Sequence, residues 1–129
     1  MNVKRNNYST LGDPVGPYVH SVRHGNTLYL SVLTAFGSHA QADTIESQTS
    51  VIFEKIQEIA SIEGSSLENL IKITAFVTDL SRMEALRDTL FDIYSQHLPA
   101  SSLVQVTRLF SDDLKIEIEA IIAVENDDD

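Results

Sequence analysis

The sequence predicts an α+β domain: one mixed β-sheet in the order ββαβαββ, with both helices packed on one face. Three observations carry that prediction. Residues 43–63 and 81–98 repeat apolar side chains at helical spacing, while residues 27–33, 71–78 and 115–124 alternate with a period of two. The 129 residues contain no internal repeat and no low-complexity linker, so a single domain over 1–124 is expected, followed by an acidic disordered tail at 125–129.

The elements follow in order. VHSVRHGNTLYLSVL reads as two strands around a Gly25-Asn26 turn, with Leu28, Leu30 and Val32 on one face and Tyr29, Ser31 and Leu33 on the other. Residues 35–43 are small and polar, hence a loop. A helix is predicted from Asp43, where Asp43-x-x-Glu46 resembles a capping box, and Gly64 offers its stop. Ser65-x-x-Glu68 caps a short helical turn. Ile71, Ile73, Ala75 and Val77 then alternate with Lys72, Thr74, Phe76 and Thr78. Ser81-x-x-Glu84 is a second capping box, opening a helix that Pro99 ends. Ser101 and Ser102 read as a polar turn, followed by the strands SLVQVTRL and KIEIEAIIAV.

Two helices can cover only one face of this sheet. Ile116, Ile118, Ala120, Ile122 and Val124 are assigned to the covered face. The other face then collects Glu117, Glu119, Ile121 and Ala123 together with Tyr29, Leu33 and Phe76. That face is too apolar to stand in water and too charged for a dry core. A homo-oligomer with polar clefts at its subunit boundaries satisfies both facts.

Composition narrows the function classes. The net charge is -10, from nine basic and nineteen acidic residues. The basic residues are scattered, so no stripe is set to neutralise nucleic-acid phosphates. There is no cysteine, which removes disulfides and thiolate metal sites. No apolar run follows the first residues, and none reaches the roughly 18 residues of a membrane span; a cytoplasmic protein without nucleic-acid or membrane partners is expected.

Local motifs for chemistry are sparse. His20 and His24 lie in a strand-like stretch, about 13 Å apart at extended spacing, too far to share one metal ion, so no metal site is expected. His97 reads as a packing residue. The five glycines are isolated, and no phosphate-cradling motif is present. Ser101 and Ser102 lack a nucleophile elbow and a neighbouring base. Glu117 and Glu119 are read as solvated carboxylates, with paired acid chemistry as the alternative.

Three segments carry a family resemblance: GPYVHSVRHGNTLYLS, TAFVTDLSRMEALRDTLFDIYSQHLPA and KIEIEAIIAV. From about Leu11 to Val124 the chain resembles the RidA (YjgF/YER057c/UK114) family, the reactive intermediate deaminases. The resemblance implies a chorismate-mutase-like fold assembled as a homotrimer, with clefts between neighbouring subunits. It implies hydrolysis of enamines and imines, such as 2-aminoacrylate or 2-iminobutanoate, to 2-keto acids and ammonia, with no metal or organic cofactor.

By the same resemblance, Tyr18 of the Gly16-Pro17-Tyr18 turn lines the pocket and Glu117 on the last strand places the attacking water. The family arginine that grips the substrate carboxylate belongs to a Pro-Ala-Arg-Ser motif. Here that motif reads Pro99-Ala100-Ser101-Ser102, so Ser101 takes the arginine's place. The family's Ser-Gly-Gln in the second strand reads Ser31-Val32-Leu33, keeping Ser31 as a substrate-binding candidate beside a narrower pocket. Serine cannot supply arginine's two-pronged grip. A hydrogen bond to a charged group is worth about 1.5–3 kcal/mol, roughly 10- to 150-fold in affinity. Misplacing the reacting carbon costs on the order of another hundredfold. Arg23 and Arg108 are the other cations considered for the cleft. Weak activity on the usual imino acids is therefore expected. Two readings follow: a small-metabolite binding module, or an imine hydrolase with an altered substrate.

Overall fold

The central strand of the sheet is β6 (Ile116–Ala123), whose even-numbered positions are all apolar and buried. The structure is a computed structural model and describes residues 1–126. From Asp127 onward the expected acidic tail lies outside the described residues. The strands β1 (Val3–Asn6), β2 (Ser21–His24), β3 (Thr27–Leu33), β4 (Leu70–Val77) and β5 (Ala100–Gln105) complete the sheet in the order β1-β2-β3-β6-β4-β5. Every pairing is antiparallel except β4–β5.

Helix α1 (Ile45–Ile62) joins β3 to β4, and α2 (Met83–Tyr94) joins the parallel pair β4 and β5. The main core lies between these helices and the sheet. There α1 contributes Ile52, Ile56 and Ile59, all fully buried, against Ile116, Ile118 and Ile122 of β6. Burying one such side chain contributes about 1.5–3 kcal/mol. Phe53 meets Tyr94 edge-on across the helices, with ring centroids 5.5 Å apart. A mixed α+β sheet with two helices is thus what the sequence predicted. Among the described residues, no helix is long and apolar enough to cross a membrane.

Several expectations are corrected. The sequence reading omitted β1, whose residues Val-Lys-Arg-Asn offer almost no apolar signal; antiparallel pairing to β2 holds it. Along β3, Leu30 pairs with Ala120 but Leu33 with Ile118, so three steps on β3 oppose two on β6. This bulge inverts the alternation: Leu33 is buried in the core and Val32 faces outward, the reverse of the period-two assignment. A second shift lies between Leu70 and Lys72. It turns Ile71 outward, 45% exposed, and gives its core place to Leu70.

Helix boundaries move as well. Thr44, not Asp43, caps α1, its hydroxyl accepting from the Ser47 N–H at 3.2 Å. Gly64 does end the helix: its positive φ of 77° lets Ser65 N–H return to the Ala60 carbonyl at 2.7 Å. Ser66 rather than Ser65 caps the short turn Leu67–Asn69. Asp79 caps a single 3₁₀ turn, Leu80–Arg82, ahead of α2, in place of the Ser81 capping box. Helix α2 ends at Tyr94, where Ser95 adopts φ 54°, well before Pro99. Ser101 and Ser102 are not a turn: both lie within β5, paired with Ile73 and Thr74 of β4.

A second, smaller core joins Ala35, Ala40, Val51, Leu109 and Leu114. Gln48, fully buried, fixes it. Its Nε2 donates to the Gln41 and Asp113 carbonyls, both at 2.8 Å, and its Oε1 accepts from the Lys115 N–H at 2.8 Å. That side chain therefore ties together the two loops that carry Phe36 and Phe110.

Candidate functional site

The loop after residue 11 folds back so that Tyr18 faces the outer end of β6. A tight turn, Tyr18 N–H to Gly16 carbonyl at 2.9 Å, sets the Gly-Pro-Tyr segment. Gly16 permits it, because a Cβ there would sit 3.3 Å from the tyrosine ring. Tyr18 is 41% exposed and lines a cavity of about 300 Å³ together with Glu117, Lys55, His20, Phe36 and Phe110. Two sequence candidates, Tyr18 and Glu117, are therefore brought to one place.

Glu117 is half-buried rather than the solvated carboxylate first assigned. Burial pushes its pKa up, and the neighbouring Glu119 charge adds to that. Among the described residues no side-chain hydrogen bond or ion pair to Glu117 is found. A carboxylate so raised accepts a proton more readily than an ordinary one.

Lys55 was not singled out by the sequence reading. It occupies the apolar column Val51-Lys55-Ile59 of α1, and that interruption at i, i+4 spacing is the signal that was available. Its ammonium donates to the Thr34 carbonyl at 2.6 Å, and burial pushes its pKa down. Among the described residues no carboxylate pairs with it. His20 is also buried: its Nδ1 accepts the Tyr8 N–H at 2.9 Å, its ring stacks on Tyr8, and burial lowers its pKa while Asp13 opposes.

The remaining candidates lie elsewhere. Ser31 donates its hydroxyl to the Val19 carbonyl at 2.7 Å, and its N–H bonds the His20 carbonyl at 3.0 Å. It anchors the segment behind Tyr18 and does not line the cavity. Ser101 shares the face of Ile73 and lines a separate groove with Arg87, Leu90 and Tyr94 of α2. Ser102 points to the opposite face, accepting from Lys72 Nζ at 2.8 Å. All six residues of β5 are exposed. Within one chain, then, Ser101 does not meet Tyr18 and Glu117.

Arg23 is committed to another region. It donates to Glu63 at 3.3 Å and to the Glu125 carbonyl. Glu63 accepts in turn from the Tyr8 hydroxyl at 2.8 Å, which also bonds Ser21 at 2.7 Å. Arg108 is exposed and outside the cavity lining. His20 and His24 do not converge: His24 lines a surface groove with Lys4 and Arg23. Among the described residues no group of three or more His, Asp or Glu is arranged to hold a metal ion.

Comparison with known proteins gives a consistent result. The family model described as Endoribonuclease L-PSP matches residues 10–124. A RutC family protein of Pyrococcus horikoshii is 32% identical over 112 residues, 84% of this chain and 87% of that protein. A 2-iminobutanoate/2-iminopropanoate deaminase of Dermatophagoides farinae is 25% identical over 115 residues, 87% of this chain and 89% of that one. The crystal structure of RidA from an Antarctic Psychrobacter species matches with a TM-score of 0.77 at 31% identity, covering 87% of this chain and 92% of that one. By sequence and by fold, the chain belongs to the Endoribonuclease L-PSP family, the RidA (YjgF) family that its Gly-Pro-Tyr turn and its last strand resemble.

Proposed function

We propose that this chain forms a cytoplasmic homotrimer whose inter-subunit clefts bind a small metabolite, with hydrolysis of the usual short imino acids weakened by the serine at position 101. The observation that carries the reading is that Tyr18 and Glu117 line one cavity. The strand β5, with all six residues exposed, supports the oligomer. So does the uncovered sheet face, where Tyr29, Val32 and Phe76 lie among Lys72, Glu117 and Glu119. In this assembly β5 of one subunit closes the cavity of its neighbour, bringing Ser101 to the place of the family arginine. Nucleic acid is not part of the reading, because a chain of net charge -10 repels a polyanion.

The raised pKa of Glu117 favours a second reading, an imine hydrolase with an altered substrate. The step needs only water. Glu117 takes a proton from the water as its oxygen bonds to the imine carbon, and hands that proton to the imine nitrogen. The C–N bond of the resulting carbinolamine then breaks, leaving a 2-keto acid and ammonia. This balances as R–C(=NH)–COO⁻ + H₂O → R–CO–COO⁻ + NH₃.

A competition assay separates the two. A dehydratase generates 2-iminobutanoate in the presence of semicarbazide, and the protein must hydrolyse the imine before it is trapped. Wild type is expected to protect weakly, Ser101→Arg to protect more, and Glu117→Gln to remove whatever hydrolysis remains. Strong protection by wild type contradicts the weakened site. Light scattering that finds a monomer contradicts the inter-subunit cleft.

A further inference from the structure

The cavity holds two half-buried groups of opposite charge that do not pair with each other or with another side chain among the described residues: the Lys55 ammonium and the Glu117 carboxyl. Partly buried charges are costly unless something compensates them. Elsewhere in this molecule they are compensated internally, as in the Arg23–Glu63 pair. A ligand that carries both an anionic group and a proton-bearing nitrogen would satisfy both ends at once. The mouth of the same cavity is aromatic: Phe36 and Phe110 are 48% and 60% exposed, with ring centroids 5.0 Å apart. Two phenyl rings left uncovered within the single chain, beside charges without a charged partner, offer an apolar surface to a ligand side chain.

We infer that the cavity is built for a 2-imino acid with an aromatic or large apolar side chain, with Lys55 receiving the carboxylate in place of the missing arginine and Phe36 and Phe110 packing the side chain. The inference rests on the reading that the Tyr18–Glu117 cavity is the ligand site, and it names the substrate class of that site. At about 300 Å³ the cavity is at the small end of the usual range for ligand pockets, enough for a phenyl ring on a three-carbon acid. Lys55 reaches it from the rigid helix α1, and its bond to the Thr34 carbonyl fixes the ammonium while leaving two N–H donors for a carboxylate. Glu117 lines the same cavity from β6 and takes the imine nitrogen or the attacking water. The opposing Asp13 also lines the cavity, but it is exposed, where solvent screens its charge. The rival cation, Arg87, lines the groove of Ser101 rather than the cavity of Glu117.

The test uses stable keto acids, the hydrolysis products, in calorimetric titrations of the full chain. Phenylpyruvate is compared with 2-oxobutanoate, which lacks the ring, and with phenylacetone, which lacks the carboxylate. Phenylpyruvate is expected to bind at least about tenfold tighter than either comparator. Lys55→Gln is expected to remove its advantage over phenylacetone, and Phe110→Ala its advantage over 2-oxobutanoate. If Lys55→Gln does not fold, the Lys55 Cε resonance of wild type decides: phenylpyruvate must shift it and phenylacetone must not. Equal binding of the three compounds overturns the inference. So does a carboxylate preference that survives Lys55→Gln or disappears in Arg87→Gln, or a ring preference untouched by Phe110→Ala. Binding of 2-oxobutanoate without preference for phenylpyruvate, or no binding of any compound, sinks this inference and leaves the proposed function standing, which a monomer in light scattering contradicts.

Discussion

Two regions of this chain hold similar side chains in opposite states. At the β1–β2 edge, Tyr8, Ser21, Arg23 and Glu63 bond one another, and only the Arg23 Nε is left without a partner. At the outer end of β6, Glu117 and Lys55 are also withdrawn from water, yet they find no charged partner among the described residues. The first region spends its polar groups on its own fold. The second carries the cost of burial without the compensation, and a ligand is what can supply it. A tyrosine marks each region too. Tyr8 is buried and its pKa is pushed up to about 12, first by burial, with Glu63 adding and Ser21 opposing. Tyr18 stays open to the cavity. Burial alone therefore does not mark a functional group; what sets Lys55 and Glu117 apart is that two chargeable groups without a charged partner among the described residues line one cavity.

The largest effect should come from a polar group that holds both halves of the cavity in place. Replacing Gln48 by leucine leaves the Lys115 N–H and two carbonyls unpaired, with an expected loss of about 3 kcal/mol in chemical denaturation. Phe36 and Phe110 should become mobile in the same variant. Next comes Glu63→Leu, which removes the carboxylate facing Arg23 and one of the two partners of the Tyr8 hydroxyl. Because the pair is 14% and 11% exposed, a loss of about 2–3 kcal/mol is expected, without any change in ligand affinity.

Glu117→Gln should behave in the opposite sense. The folded-state pKa of Glu117 is raised above its ordinary value of 4.5. The folded chain therefore keeps a proton that the unfolded chain has already lost, and this group's contribution falls as pH rises through that window. Relative to wild type, the variant should gain stability as pH rises above 4.5. A variant that loses stability over that range would show that Glu117 has a partner after all. The smallest effect is expected at Tyr94, whose hydroxyl is buried without a hydrogen bond. Tyr94→Phe should be neutral or stabilising, by at most about 1 kcal/mol, and a clear loss would reveal an unseen partner.

How much of this was legible in the sequence follows the same physical logic. The order of elements came from apolar periodicity, and it held wherever the backbone was regular. It failed at the two bulges, because one extra residue shifts every later side chain to the other face without changing composition. The strand β5 was missed at its start because parallel pairing to β4 supplies its hydrogen bonds and none of its residues is buried; Pro-Ala-Ser-Ser then reads as a turn. Tyr18 and Glu117 were named through the family resemblance, and both line one cavity. Ser31, assigned to the ligand by the same resemblance, bonds the Val19 carbonyl behind Tyr18 and is not among the residues that line the cavity of the single chain. Lys55 was overlooked because a lysine within a helix ordinarily faces water, and only its place in an apolar column set it apart.

Thermal melting with and without phenylpyruvate, run on wild type, Glu63→Leu and Lys55→Gln, tests the central claim most directly. Ligand that binds only the folded state raises the midpoint. Glu63→Leu is predicted to melt lower than wild type and to keep the full ligand-induced rise. Lys55→Gln is predicted to stay within about 1 kcal/mol of wild type and to show a rise no larger than phenylacetone gives. An undiminished rise in Lys55→Gln, or one that vanishes in Glu63→Leu, would contradict the assignment of the unpaired charges to the ligand.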